Sequence, residues 1–186
     1  MTVFYLVHHA HADWTPDEQR PLSKCGQQDA PRVVDILQAY PVGAIYSSPS
    51  LRARQTVEPL AEQLSLPVLV EPDLRERELS AEPIEDFFAA VEKTWRDPSF
   101  AHPGGESNAA AQERGLGVVR KLLQKYNREG LIEKQIALST HGNLLALILQ
   151  GFDPSIDFGF WKEMSMPDIY KLSLREADPV EIKRLW

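Results

Sequence analysis

The chain of 186 residues has a single cysteine, Cys25. One thiol cannot close an internal disulfide, so a disulfide-stapled secreted scaffold is excluded. No apolar run approaches the roughly 20 residues that a membrane-spanning helix needs. Positive charge is scarce too: 20 Lys and Arg face 27 Asp and Glu, for a formal net charge of -7. That balance argues against a nucleic-acid or anionic-membrane partner. Met1 to Ala10 shows neither a basic front nor a cleavage site, and the expectation is a cytoplasmic protein. Repeats, low-complexity tracts and linkers are also missing, and the length favours one domain over residues 1–186.

What the chain does have is alternation of strands and helices. Thr2 to Val7 is a β-branched and aromatic run that reads as a buried strand, and it ends in His8, His9, Ala10 and His11. A helix follows, with Val33, Val34, Ile36, Leu37 and Tyr40 on its apolar face, closed by Pro41 and Gly43. Ala44 to Tyr46 is a second strand running into Ser47-Ser48-Pro49, and the helix Leu51 to Leu64 carries Arg52 in its first turn. Pro67 to Val70 is a third strand. The charged run Glu71 to Leu79 alternates in sign, so Arg75 and Arg77 read as solvated surface charges. Ile84 to Trp95 is expected as a helix with Phe87, Phe88, Val91 and Trp95 inward, and Ala109 to Tyr126 as a long helix with Leu116, Val119, Leu122 and Leu123 inward. Gln135 to Thr140 repeats the opening pattern, a strand ending in His141-Gly142 and followed by a helix to Gln150. Ile169 to Leu174 and Val180 to Leu185 read as a closing antiparallel pair without chemistry.

The alternation predicts an α/β fold of three layers, α/β/α, with a mostly parallel central sheet. Parallel strands bring their carboxyl ends to one edge, so His8, His9, Arg52 and His141 can share one pocket. Such a set suits a phosphoryl group. A neutral imidazole attacks phosphorus, an arginine holds the non-bridging oxygens, and a second histidine stabilises their charge. A carboxylic acid from Glu76 to Glu78 supplies a proton to the leaving oxygen. No metal or cofactor is required by that chemistry. A metal site from His9, His11 and His141 is the weaker reading, because no carboxylate or cysteine sits at a matching spacing.

The motifs resemble those of the histidine phosphatase superfamily, whose fold is phosphoglycerate-mutase-like. Leu6-Val7-His8-His9-Ala10 is similar to the family's Leu-Val-Arg-His-Gly, which implies His9 as nucleophile. Ser47-Ser48-Pro49-Ser50-Leu51-Arg52-Ala53-Arg54-Gln55-Thr56 resembles the family's Ser-Ser-Pro-Leu-x-Arg-Ala-x-Gln-Thr and implies Arg52 as a phosphate ligand. Leu74-Arg75-Glu76 matches the segment that holds the proton donor, with Glu78 as its neighbour. Pro103 to Ser107 and Ser139 to Gly142 match two further segments, the second implying His141. Arg20-Pro21-Leu22-Ser23 points to the short phosphohistidine phosphatase branch. The resemblance implies a small phosphorylated substrate or a phosphoprotein as partner. A mutase fits less well, since its inserted segments have no counterpart between Glu78 and Pro103.

The departure that bears on the chemistry is at position 8. His8 stands where the family has arginine, and a histidine carries charge only near its usual pKa of about 6.5. The expectation is therefore weakened hydrolysis, best on the acid side of neutrality, with Arg20 as a partial substitute clamp. A non-catalytic phosphate-binding module is the alternative.

Overall fold

The computed structural model describes residues 1–15, 17, 19–128 and 135–186. Its centre is β1 (Thr2–His8), buried at every position. Both edges of β1 are hydrogen-bonded, in parallel with β4 (Gln135–Thr140) and antiparallel with β5 (Asp168–Arg175). Beyond β4 come β2 (Val42–Ser47) and β3 (Val68–Val70), and beyond β5 comes β6 (Asp178–Arg184). The sheet order is thus β3-β2-β4-β1-β5-β6. The first four are parallel and share one carboxyl edge, whereas β5 starts at that edge, with Asp168 opposite His8 in the ladder.

Helices α1 (Lys24–Leu37), α2 (Leu51–Leu64), α3 (Phe87–Arg96), α4 (Asn108–Arg128), α5 (Gly142–Gln150) and α6 (Phe158–Glu163) join the strands. Side chains alternate along β1, and this sorts the core into two layers. Tyr5 and Val7 pack with Val33 and Leu37 of α1 and Val57 and Leu60 of α2. Phe4 and Leu6 pack on the other face with Leu122 of α4 and Leu144, Leu145 and Ile148 of α5. Each such fully buried side chain stabilises the fold by about 1.5–3 kcal/mol. Gly115 lets α4 approach α5 closely, for a Cβ there would lie 2.6 Å from Ile148 Cγ1. The expected three-layer α/β/α arrangement with a mostly parallel sheet is what the chain adopts.

One helix differs from expectation. It starts at Phe87, not Ile84, because the Asp86 carboxylate caps it by accepting from Ala89 N at 2.9 Å. Its inner face is Ala90, Val91 and Thr94, and Phe87 and Phe88 are 52% and 58% exposed instead of inward. In the first turn they lean on Trp161 of α6 across the rim of the fold. None of the described helices is long and apolar enough to cross a membrane.

Candidate active site

The carboxyl edge is assembled by backbone and hydroxyl bonds before any charged group is placed. His9 N donates to Thr140 O at 3.1 Å, extending the β1–β4 ladder by one residue. Ala10 N donates to Thr56 Oγ1 at 2.9 Å, and that hydroxyl donates to the Arg52 carbonyl at 2.8 Å. The turn after β1 is thereby tied to the first turns of α2. At Gly26 in α1 a Cβ would lie 2.1 Å from the His11 carbonyl oxygen, so only glycine lets α1 close against the loop.

Arg52 lies between two imidazoles. Its Nε donates to His9 Nε2 at 3.2 Å, and its Nη2 donates to His141 Nδ1 at 3.1 Å. Guanidinium can only donate, so both ring nitrogens accept. His9 then carries its proton on Nδ1 and donates it to the Ala10 carbonyl at 2.7 Å. His141 carries its proton on Nε2, 2.8 Å from Ser48 Oγ. The rings of His9 and His141 lie 5.0 Å apart, as do those of His8 and His9. His11, the third histidine of the metal reading, has its Nδ1 at 2.8 Å from Ser23 Oγ. Among the described residues no group of three or more His, Cys, Asp or Glu side chains is arranged to hold a metal ion.

The three histidines are held neutral. Burial is the main cause of the His9 shift well below the usual histidine value, reinforced by His8, Arg52 and Arg20. His141 is lowered in the same way, by burial first and then by His9, Arg52, His8 and Arg20. His8 is pushed down to about 4, chiefly by burial, although the Ser165 carbonyl and Asp168 oppose the shift. The expectation that His8 charges near 6.5 is corrected by that burial, which leaves it uncharged at neutral pH. Arg20 adds positive potential to both rings, while its Nη1 donates to the Thr15 carbonyl at 3.1 Å.

Glu76 reaches the same place from the far side. Thr140 Oγ1 donates to the Leu74 carbonyl at 2.8 Å and pins the segment to the end of β4. Glu76 Oε1 accepts from Arg77 N at 2.8 Å and Leu144 N at 3.1 Å, and Oε2 accepts from Asn143 N at 3.1 Å. Its carboxylate thus closes the first turn of α5, directly after His141, where a helix N-terminus favours negative charge. Glu78 is exposed and faces a cavity of about 660 Å³ that Arg52 and Glu76 also line. Arg77, expected on the surface, is only 5% exposed. Arg114 of α4 draws that segment inward by donating to the Asp73 and Arg75 carbonyls at 2.6 and 3.0 Å.

His9, Arg52, His141 and Glu76 are therefore brought together, with His8 and Arg20 at the margin. Two neighbours escaped sequence reasoning. Asp168 opposes His8 in the ladder, yet it opens a strand read as devoid of chemistry. Asn143 accepts from Trp95 Nε1 at 3.0 Å and so braces the turn that Glu76 caps. Neither leaves a signal in its own neighbourhood of the sequence.

Residues 4–181 match the model of the histidine phosphatase superfamily (branch 1). The chain belongs to this superfamily. It is 28% identical over 168 residues to the uncharacterized phosphatase PhoE of Bacillus subtilis (strain 168), covering 84% of this chain and 81% of that protein. The structure of a mycobacterial glucosyl-3-phosphoglycerate phosphatase superposes with a TM-score of 0.78 at 22% identity, covering 99% of this chain and 97% of the other. A phosphoserine phosphatase mutant from Entamoeba histolytica superposes with a TM-score of 0.74 at 17% identity, covering 100% and 97%. At such identities these two structures show a shared fold.

Proposed function

We propose that this histidine phosphatase hydrolyses phosphomonoesters without a metal, through a phosphohistidine on His9. The observation that carries the reading is Arg52 held between His9 Nε2 and His141 Nδ1, with both imidazoles neutral. The Nδ1–H bond to Ala10 aims the His9 Nε2 lone pair into the site. That nitrogen attacks phosphorus, the ester P–O bond breaks, and Arg52 and His141 stabilise the equatorial oxygens. Glu76 Oε2 accepts one bond where a carboxylate oxygen takes two, so the carboxylic acid form carries its proton on Oε2 and passes it to the leaving oxygen, becoming the carboxylate. Water then attacks the phosphohistidine, the N–P bond breaks, and Glu76 takes the proton back.

Hydrolysis of 4-nitrophenyl phosphate is expected to survive chelator, and an acid-labile, alkali-stable phosphoenzyme is expected on rapid quenching. Loss of turnover with chelator overturns the reading. Strong stabilisation by vanadate with no turnover on any ester would assign the site to binding alone. Glu76→Gln is expected to lower kcat/KM, which reports the steps through P–O cleavage, on an alkyl phosphate by about 10²-fold and on the aryl ester far less, because nitrophenolate departs without a proton. Equal losses on both esters would remove Glu76 from the proton-donor role.

A further inference from the structure

We infer that Ser48 is a positioning residue of this site, a hydroxyl that reverses from acceptor to donor when phosphate binds and so lets His141 turn an N–H toward a phosphoryl oxygen. The inference rests on the phosphatase reading above.

The need for a reversal lies in the sense of the hydrogen bonds. Arg52 Nη2 donates to His141 Nδ1 at 3.1 Å, so that nitrogen shows the guanidinium a lone pair. A phosphoryl oxygen only accepts, and His141 can hold one there only with a proton on Nδ1. Two routes supply it. A second proton would make the ring a cation, which burial and the neighbouring His9, Arg52 and His8 oppose. Exchange of tautomer keeps the ring neutral: one proton leaves Nε2 for solvent, one arrives from solvent at Nδ1, and no net proton is taken up.

Exchange requires an Nε2 partner that works in both senses. A backbone carbonyl or a carboxylate only accepts and would fix the proton on Nε2, and an amide N–H only donates. Ser48 Oγ, fully buried at 2.8 Å from Nε2, does both. One of its lone pairs takes Ser50 N at 3.3 Å. The other takes the His141 Nε2–H before exchange, and the hydroxyl proton goes to Nε2 after it. The backbone on either side is fastened, Ser48 N donating to Ser139 O at 2.9 Å and Ser47 Oγ to Ser48 O at 2.9 Å, so the O–H bond turns while Oγ stays in place. His9 has the opposite arrangement. Its Nδ1 faces the Ala10 carbonyl at 2.7 Å, which can only accept, so the proton stays there and Nε2 keeps the lone pair that attacks. One imidazole is locked as a nucleophile, and the other can become a donor.

Nitrogen-15 NMR of the full chain with labelled histidines, at pH 7.5 with and without saturating inorganic phosphate, tests this. Protonated and bare ring nitrogens differ widely in shift, and the signals of His141, one of five histidines, are assigned by their loss in His141→Gln. His141 is expected to carry its proton on Nε2 in the free protein and on Nδ1 in the phosphate complex, while His9 keeps its proton on Nδ1 in both. Ser48→Ala is expected to weaken phosphate binding and to lower kcat/KM on 4-nitrophenyl phosphate by about tenfold each, and Ser48→Thr, which retains the hydroxyl, to recover most of that loss. Where Ser48→Ala does not fold, the wild-type spectra decide. A His141 proton that stays on Nε2 in the phosphate complex, protons on both its nitrogens, or full activity in Ser48→Ala overturns the inference. Ester turnover by a wild-type chain whose His141 keeps one tautomer overturns it and leaves the phosphatase reading intact. The expected reversal on phosphate with no ester turned over does the opposite.

Discussion

His9→Ala is expected to reduce hydrolysis of 4-nitrophenyl phosphate by at least about 10⁴-fold, since removing the nucleophile of a covalent mechanism removes the whole low-barrier route. The groups around it stay in place. Arg52 keeps its bond to His141 at 3.1 Å, and Thr56 still ties Ala10 to the Arg52 carbonyl. Phosphate and vanadate should therefore still raise the melting temperature of the variant, by about 2.7 kcal/mol of stabilisation at 100 times the dissociation constant. Retained binding with lost turnover separates missing chemistry from a missing fold. The vacated imidazole space faces the Arg52 Nε, so added imidazole is expected to restore part of the aryl phosphatase activity. Residual activity within tenfold of wild type would remove His9 from the nucleophile role.

The parts of the site that could be read from sequence are those that recur at strand–helix junctions. His9, Arg52 and His141 each follow an apolar run that ends abruptly, and parallel pairing of β1, β2 and β4 brings those ends together. Residues whose role depends on a distant partner were out of reach. Arg77 sits in a run of alternating charges, a pattern that signals solvent; only the grip of Arg114 on the preceding carbonyls turns it inward. Asp168 acquires its place from antiparallel register against His8, which no local pattern encodes. Phe87 and Phe88 were misplaced because apolar spacing locates a helix but not its first residue, which the Asp86 cap decides. The error on His8 was of another kind. Its identity sets an ordinary pKa near 6.5, whereas its 8% exposure, a property of the assembled sheet edge, sets the actual one.

That burial leads to a large acid effect on stability. Above the ordinary histidine pKa of about 6.5, folded and unfolded His8 are both neutral and the stability is complete. Below it the unfolded chain takes up a proton that the folded chain refuses until about 4, so stability is lost as pH falls through this window. One pKa unit is worth about 1.4 kcal/mol, and the loss from His8 alone reaches about 2.5 kcal/mol by pH 4.5. His9 and His141 are shifted in the same direction and deepen it. The His8 share alone is a large part of the total of about 5–15 kcal/mol for a domain. Urea titrations at pH 7.5, 6.5, 5.5 and 4.5, at fixed ionic strength, check the sign. His8→Gln removes one titrating ring and leaves the rest, so the stability of wild type minus variant should fall by about 2.5 kcal/mol between pH 7.5 and 4.5. A difference that stays flat means that His8 is protonated as readily in the fold as out of it. In that case the site gains a cation near pH 6, and hydrolysis should rise toward acid instead of holding level.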